Sequence, residues 1–157
     1  SPPLPKVSYP LHVVLRYEIE RALFKGELSV EELPSLWNLR MKSDLGVDIA
    51  DDAQGVLQDI HWSFGAVGYF PSYTLGAIAA VQIFEAAERE LGAETLAQKL
   101  SAGDFKPLRE WLREKIHARG SVDTSLDELL SAVCGEPLSP KPFLAYLTTK
   151  YTALYGL

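Results

Sequence analysis

The chain of 157 residues has little sulfur and few histidines: it contains one cysteine, one methionine and three histidines. A lone cysteine, Cys134, cannot form an intramolecular disulfide, so a disulfide framework is excluded. His12, His61 and His117 are isolated from one another, and neither an HExxH motif nor a cysteine pair accompanies them. We therefore expect no metal site built from the residues of this chain.

The sequence also lacks a surplus of basic residues and a long apolar run. Lys and Arg total 15 against 21 Asp and Glu, a formal net charge of -6, which argues against nucleic acid or an anionic membrane as partner. The longest apolar run, residues 75–81, is far shorter than the ~20 residues of a bilayer-spanning helix, and no signal peptide is recognised. These features predict a cytoplasmic protein that binds neither nucleic acid nor membrane.

Helical periodicity dominates the rest of the sequence. Apolar residues at helical spacing predict a first helix from Leu11 to Gly26 and a second over residues 34–44. The apolar residues at this spacing in the first helix are Leu11, Val14, Leu15, Ile19, Ala22 and Leu23. A further helix, predicted over residues 71–91, is apolar almost all round in its first half, which is typical of a helix buried on most faces.

Helix-start signals support the same fold class. Ser29 with Glu32 and Ser125 with Glu128 have the spacing of capping boxes, in which side chains satisfy the first backbone N–H groups of a helix. No alternating strand pattern, internal repeat or low-complexity tract is found. The sequence therefore predicts an all-α protein of about six to eight helices.

The chain is long enough to bury a core as one domain, since hydrophobic residues make up 47% of it. Its beginning is different, because prolines are concentrated there and proline is excluded from helix interiors. We predict a proline-rich lead-in over residues 1–8 and a single helical domain over residues 9–157.

One stretch stands apart from this regular pattern: GVLQDIHWSFGAVGYFPSY, residues 55–73. His61 lies beside Trp62, and Tyr69 and Tyr73 have i,i+4 spacing where the helix over residues 71–91 begins. Two phenols and an imidazole at a helix N-terminus, where backbone N–H groups also point outward, can bind a carboxylate or a developing oxyanion. The alternative is that His61 and Trp62 are a core pair.

Other single residues have a structural interpretation. Asp59 either orients His61 or caps a turn, and the cap is favoured. His12 on the first helix and His117 at a helix C-terminus are interpreted as structural. Cys134, near the end of a helix, is interpreted as a packing residue.

The motifs resemble those of one known family. GVLQDIHW fits the GxxQDxHW signature of the thermostable zinc-dependent carboxypeptidases of the Taq type, peptidase family M32, and GYFPSYTLG looks like the segment that follows it. YPLHVVLRYEIERAL before the signature, and GDFKPLREWLREKIH and GEPLSPKPFLAYLTTKY after it, resemble the carboxy-terminal part of the family in the same order. The resemblance covers nearly the whole chain, from about Tyr9 onward.

The resemblance implies an activity for the complete family enzyme. That activity is the removal of single residues from peptide carboxy termini by water bound to zinc or another divalent metal, in an enzyme that is usually a homodimer. It also implies that the HExxH metal site, a downstream glutamate ligand and an IRxxAD motif precede the region present here. This chain would then correspond to the carboxy-terminal third of the family, hold no cofactor and be inactive alone.

The same resemblance implies roles for the unusual stretch. His61, Tyr69 and Tyr73 would line the substrate groove, one tyrosine hydroxyl donating to the oxyanion and His61 positioning the peptide. The residues expected to support His61 from behind are Gly55, Gln58, Asp59 and Trp62.

Two other interpretations stay open. One is a non-catalytic helical module, from a split or truncated gene, that keeps the groove wall as a binding or assembly surface. The other is a helical small-molecule enzyme unrelated to peptidases. An upstream HExxH motif would distinguish the peptidase from both.

Overall fold

The structure, a computed structural model, describes residues 8–156 and forms eight α-helices there. Their bounds are α1 Tyr9–Lys25, α2 Leu33–Leu45, α3 Ile60–Ser63, α4 Pro71–Leu91, α5 Ala93–Ser101, α6 Lys106–Lys115, α7 Leu126–Cys134 and α8 Pro140–Tyr155. Single 3₁₀ turns cover Val56–Gln58 and His117–Arg119. Because no strand occurs in this part of the chain, the all-α prediction is confirmed. Apart from Ser8, the predicted lead-in lies outside the described residues.

The chain divides into two compact units, Ser1–Leu75 and Gly76–Leu157. The first unit contains α1, α2, α3 and the first residues of α4, and the second contains the remainder of α4 with α5 to α8. The single helical domain predicted for residues 9–157 stays a prediction. No helix within residues 8–156 is both long and apolar enough to cross a membrane.

The helix ends follow from local chemistry. Pro10 lies in the first turn of α1, where no N–H is needed, so the helix begins at Tyr9, two residues before the predicted start. Gly26 ends α1 with a φ of 70°, a conformation that costs glycine little. Ser29 and Glu32 exchange the two hydrogen bonds of a capping box just before α2, at 3.0 and 3.3 Å, as predicted.

The buried face of α1 is not the set of apolar residues at helical spacing. Leu11 and Val14 are exposed, whereas Arg16 and Glu20 are only 5% and 6% exposed. The apolar spacing therefore identified the helix but not its buried face, because charged side chains can be buried when they have partners. Arg16 and Glu20 have such partners in the segment between the 3₁₀ turn and α4, described below.

Each unit has its own apolar cluster. In the first unit it consists of Leu15, Ile19, Trp37, Met41 and Val56, and in the second it includes Ala86, Ala87, Leu96 and Trp111. The helix predicted over residues 71–91 is found with those bounds as α4. Within this chain it is not buried on most faces, since Leu75 is 43% exposed and Phe84 36%, and the burial expected of it in a whole enzyme stays a prediction.

Candidate functional site

The unusual stretch begins with a capped helical turn. Asp59 precedes α3, and its Oδ1 atom accepts hydrogen bonds from the backbone N–H of His61 at 2.8 Å and of Trp62 at 3.2 Å. The carboxylate therefore satisfies two donors that the start of a helix leaves without partners. Asp59 caps this turn, and the cap fixes the backbone that carries His61.

The second oxygen of the same carboxylate is held by α1. Asp59 Oδ2 forms an ion pair with Arg16 Nη1, and the two side chains are 1% and 6% exposed. The Arg16 guanidinium lies 4.4 Å from the ring centroid of Phe70 and 4.9 Å from that of Trp37, within range of cation–π attraction. Burial lowers the pKa of Arg16 to about 10, so the group stays charged at neutral pH. The ion pair is thus enclosed by aromatic rings.

His12 completes the surroundings of Arg16. Arg16 Nε donates to His12 Nε2 at 2.9 Å, one helical turn earlier on α1. Burial, and then the nearby charge of Arg16, lower the pKa of His12 to about 4. His12 is therefore neutral at pH 7 and accepts with Nε2, which agrees with the structural role predicted for it.

The stretch is also tied to α1 further along. The backbone N–H of Gly68 donates to Glu20 Oε1, a charge-assisted hydrogen bond between residues 48 positions apart. Gly68 has a φ of 76°, which glycine adopts without steric cost and other residues adopt rarely. Glu20 thereby fixes the loop that leads into Tyr69.

His61 lies between its support and the exposed tyrosines. Its Nε2 atom is 3.2 Å from Tyr73 Oη, and its Nδ1 atom is 3.5 Å from Asp59 Oδ1. The imidazole stacks on Tyr69, with centroids 5.7 Å apart and planes at 16°, and meets the buried Phe70 edge-on at 5.0 Å. The ring is thus fixed on several sides.

We call the exposed rings of Tyr9, Tyr69 and Tyr73, together with the half-buried ring of His61, the aromatic face. Tyr69 is 52% exposed, Tyr73 40% and Tyr9 38%. The ring of Tyr73 lies 5.5 Å from that of Tyr69 and 6.5 Å from that of Tyr9, with planes near perpendicular in both pairs. Partial desolvation, followed by the neighbouring Tyr69, raises the pKa of Tyr73, so its hydroxyl is protonated and a donor at neutral pH. The face can therefore offer hydrogen bonds to an oxygen ligand.

The remaining predicted residues have varied surroundings. Trp62 packs edge-on against Trp37 at 6.1 Å, at the margin of the apolar cluster. Gly55 is buried so tightly that an added Cβ would lie 2.7 Å from Cγ2 of Ile49. Gln58 is exposed, and its side chain donates to the backbone carbonyl of Ala53, so the bond it makes holds the preceding turn and not His61.

Cys134 and His117, which lie outside the stretch, were also interpreted from the sequence. Cys134 is half-buried against the apolar cluster of the second unit, where burial raises the pKa of its thiol, in keeping with the predicted packing role. His117 is exposed at the 3₁₀ turn after α6. Sequence reasoning missed Arg16 and Glu20, although their spacing with His12, four residues apart in each case, places all three on one face of a helix.

The residues available do not form a metal site. Within residues 8–156 no group of three His, Cys, Asp or Glu side chains is arranged to hold a metal ion. His12 Nε2 already accepts from Arg16, and His61 Nε2 is engaged by Tyr73. A catalytic zinc ion takes about three protein ligands, so this donor set does not fit one and we derive no step through a metal.

Comparison with known proteins identifies the family. The family model of the Carboxypeptidase Taq (M32) metallopeptidases matches residues 5–151. The chain is 48% identical over 151 residues to Thermostable carboxypeptidase 1 of Thermus thermophilus and 43% identical over 152 residues to Carboxypeptidase 1 of Bacillus subtilis. These matches cover 96% and 97% of this chain, but only 29% and 30% of the relatives.

Solved structures agree with this match. Metallocarboxypeptidase 1 of Trypanosoma cruzi superimposes with a TM-score of 0.90 at 44% identity, covering 96% of this chain and 31% of that one. The M32 carboxypeptidase of Deinococcus radiodurans R1 gives 0.91 at 37% identity, covering 97% and 30%. The fold is thus that of a peptidase segment. The chain belongs to the M32 family of metallocarboxypeptidases, and it spans about 30% of the length of the relatives it matches.

Proposed function

We propose that this chain forms one wall of the peptide-binding groove of a metallocarboxypeptidase that removes single residues from peptide carboxy termini. The observation that carries the proposal is the contact of 3.2 Å between His61 Nε2 and Tyr73 Oη on an exposed face. Behind it, the buried Asp59 ties the same turn to α1. An exposed polar pair on a rigid base is the arrangement expected of a substrate-binding surface.

In this proposal Tyr73 is the hydrogen-bond donor to the substrate. The Asp59 carboxylate near Nδ1 of His61 favours the tautomer with hydrogen on that atom, so Nε2 is an acceptor for the Tyr73 hydroxyl. A substrate oxygen that develops negative charge competes for this hydrogen, and a donor already aimed at it stabilises the charge with little rearrangement. Tyr69 provides a second phenol beside the first.

The metal belongs to another part of the enzyme in this proposal. Zinc or another divalent ion, when bound, polarises the scissile carbonyl and activates water. We assign its ligands to residues outside 8–156, so the isolated chain has no cofactor of its own and is inactive alone. The predicted cytoplasmic location stays a prediction.

We also propose that the chain forms a homodimer. In the second unit, a groove of about 770 Å³ between α4 and α8 is lined by Phe84, Tyr146 and small side chains, with the charged Glu85, Glu88 and Lys150 also in its lining. Phe84 is 36% exposed, Tyr146 44% and Leu144 57%, and apolar patches of this kind mark contact surfaces. Light scattering at micromolar concentration tests this, and a mass of one chain would contradict it.

The groove-wall proposal is tested in a chimaera. The 151-residue segment of the Thermus relative that matches this chain is replaced by the corresponding part of this chain, and hydrolysis of a blocked dipeptide is measured. We expect an active chimaera in which Tyr73→Phe lowers kcat by about 10² to 10³ with little change in KM, because one oxyanion donor is lost. His61→Ala should also lower kcat.

The matched control is Tyr17→Phe. Tyr17 lies on α1 with 43% exposure, close to the 40% of Tyr73, but its ring contacts Arg21 and not His61. It should leave kcat unchanged. If Tyr69→Phe and Tyr73→Phe both retained the kcat of the chimaera, the phenols would be packing groups, and the non-catalytic helical module would be the better account of the chain.

A further inference from the structure

We infer that α1 is the positioning element of the aromatic face: Arg16, acting through Asp59, and Glu20, acting through Gly68, hold the two ends of the segment 59–68, which carries His61 and leads directly into Tyr69. The inference rests on the proposed function for its kinetic consequence. Its geometric content concerns this chain alone. Neither Arg16 nor Glu20 touches the proposed substrate position, so both are positioning residues.

The two ties lie on either side of His61 in the sequence. Asp59 and Gly68 are nine residues apart, His61 lies between them, and Tyr69 immediately follows the second tie. This segment has little regular structure of its own, since α3 contains only four residues. Short helices are marginal without tertiary contacts, so the position of His61 relative to Tyr73 must be set by what holds the segment at its ends.

Both ties come from one face of one helix. Arg16 and Glu20 are four residues apart on α1, and side chains with that spacing lie one above the other. The helix is regular over its full span from Tyr9 to Lys25 and packs on α2 through the apolar cluster of the unit. Through its two charged contacts, α1 therefore fixes both the distance and the direction between Asp59 and Gly68.

The chemistry of Arg16 explains why a lysine would not serve. Arg16 donates from Nε to His12 and forms its ion pair with Asp59 through Nη1, while its guanidinium lies within 5 Å of the ring centroids of Trp37 (4.9 Å) and Phe70 (4.4 Å). A lysine ammonium is a point charge without this planar fork. It could pair with Asp59 but could not also meet His12 and fill the space between the rings.

A buried ion pair often adds little net stability to a core. Its desolvation often cancels its attraction, and replacement by apolar residues of similar volume is frequently neutral or favourable. Arg16, Glu20 and Asp59 are nevertheless all at most 6% exposed, and the bonds of the two acids either join α1 to the segment 59–68 or lie within that segment. The arrangement is that of a support for His61 and the tyrosines.

The geometric test uses the 157-residue chain and nuclear magnetic resonance. In the wild type we expect nuclear Overhauser contacts between the rings of His61 and Tyr73, and slow exchange of the Gly68 amide. Arg16→Met should remove the contacts, and Glu20→Ala should speed Gly68 exchange by ~10-fold or more because its acceptor is gone. Glu20→Gln keeps an acceptor oxygen and should restore most of the protection.

Two control variants separate positioning from general loss of charge. Glu18→Gln removes a carboxylate from α1, and Arg40→Met removes the arginine that pairs with it, at an exposed site. Both should leave the His61–Tyr73 contacts and Gly68 exchange unchanged. If the contacts survive in Arg16→Met and Gly68 stays protected in Glu20→Ala, the inference is wrong. If both variants unfold the whole chain, the ties are merely structural and it is wrong as well.

The kinetic test uses the chimaera. Arg16→Met should lower kcat by about 10² with KM little changed, because small misplacements of reacting groups cost that much. Arg16→Lys should not restore it. Unchanged kcat in Tyr73→Phe would overturn the proposed function, while loss of the His61–Tyr73 contacts in Arg16→Met would still support the role of α1, so the two failures are distinguishable.

Discussion

The two units differ in the kind of polar side chain that they bury. In the first unit the buried polar residues are Arg16, Glu20 and Asp59, all charged types. In the described part of the second unit the buried polar residue is Gln82, which is neutral. Its amide donates to the backbone carbonyls of residues 136 and 137 and accepts from Ser139 N–H, all near the start of α8. Charged groups are thus buried beneath the aromatic face, and a neutral amide suffices to hold a turn.

The comparison shows that the first unit buries charged side chains that stability does not require. A neutral side chain that satisfies backbone groups costs little to bury, since all its partners are hydrogen-bonded. Burying charges is much more costly and survives only with complete pairing. The additional cost in the first unit coincides with the candidate site, as expected if function and not stability determines these residues.

The largest expected effect is the removal of one partner from the buried pair. Arg16→Met leaves Asp59 charged and buried, so the free energy of unfolding should fall by about 3 to 5 kcal/mol. The double variant with Asp59→Asn, which keeps the helix cap, should be more stable than Arg16→Met alone. Urea denaturation measures both. A double variant less stable than the single one would show that the pair contributes more than charge balance.

A smaller change in the free energy of unfolding is expected for Gly55→Ala in the first unit, and Gly76→Ala in the second unit should differ from it. Gly55→Ala should cost about 1 to 3 kcal/mol, because the new Cβ would lie 2.7 Å from Ile49 and the core must shift. Gly76, inside α4, has no atom within 4 Å of such a Cβ. Thermal melts of the two variants should move in opposite directions, and equal shifts would contradict the packing seen around Gly55.

Acid should affect the first unit through His12. Its pKa is about 4 in the folded chain against an ordinary value of 6.5, so the unfolded chain binds more protons between these pH values. The contribution is fully present above pH 6.5 and is lost as the pH falls toward 4, by roughly 1 to 2 kcal/mol after allowance for partial exposure. His12→Gln keeps an acceptor for Arg16 and should flatten this part of the pH–stability curve relative to the wild type. Identical curves would show that His12 is not buried neutral.

The smallest effect expected is a gain. Gly76→Ala should stabilise α4 by about 0.5 to 1 kcal/mol, because glycine in a helix loses more conformational entropy than alanine on folding. Gly76 is exposed, so no contact offsets this gain. Guanidinium denaturation resolves a difference of this size, and a loss of stability would indicate a requirement for glycine in α4.

Much of the fold could be predicted because its signals are local. Proline, glycine and apolar spacing gave α4 with the bounds Pro71–Leu91, and the glycines at 26 and 46 mark the ends of α1 and α2 as expected. The helix α5 was not predicted: the prediction ended the preceding helix at residue 91 and assigned no helix to residues 93–101.

Of the candidate site, the sequence brought only the outer residues together. His61, Tyr69 and Tyr73 lie close together in sequence, so local spacing brings them together. Arg16 and Glu20 reach the same segment from more than 40 residues away, and no local pattern encodes such contacts. The period of α1 was read from apolar residues alone, and the charged residues that this helix buries were overlooked.

The packing of tryptophans around Arg16 gives the chain an optical reporter. The indoles of Trp37 and Trp62 are 6.1 Å apart at 75°, close enough for their electronic transitions to couple, whereas Trp111 lies in the core of the second unit. The Trp111→Phe variant would leave only the pair beside the ion pair, so near-ultraviolet circular dichroism would follow the assembly of the first unit without any label. The emission of Trp111, isolated in the same way, would follow the second unit on its own.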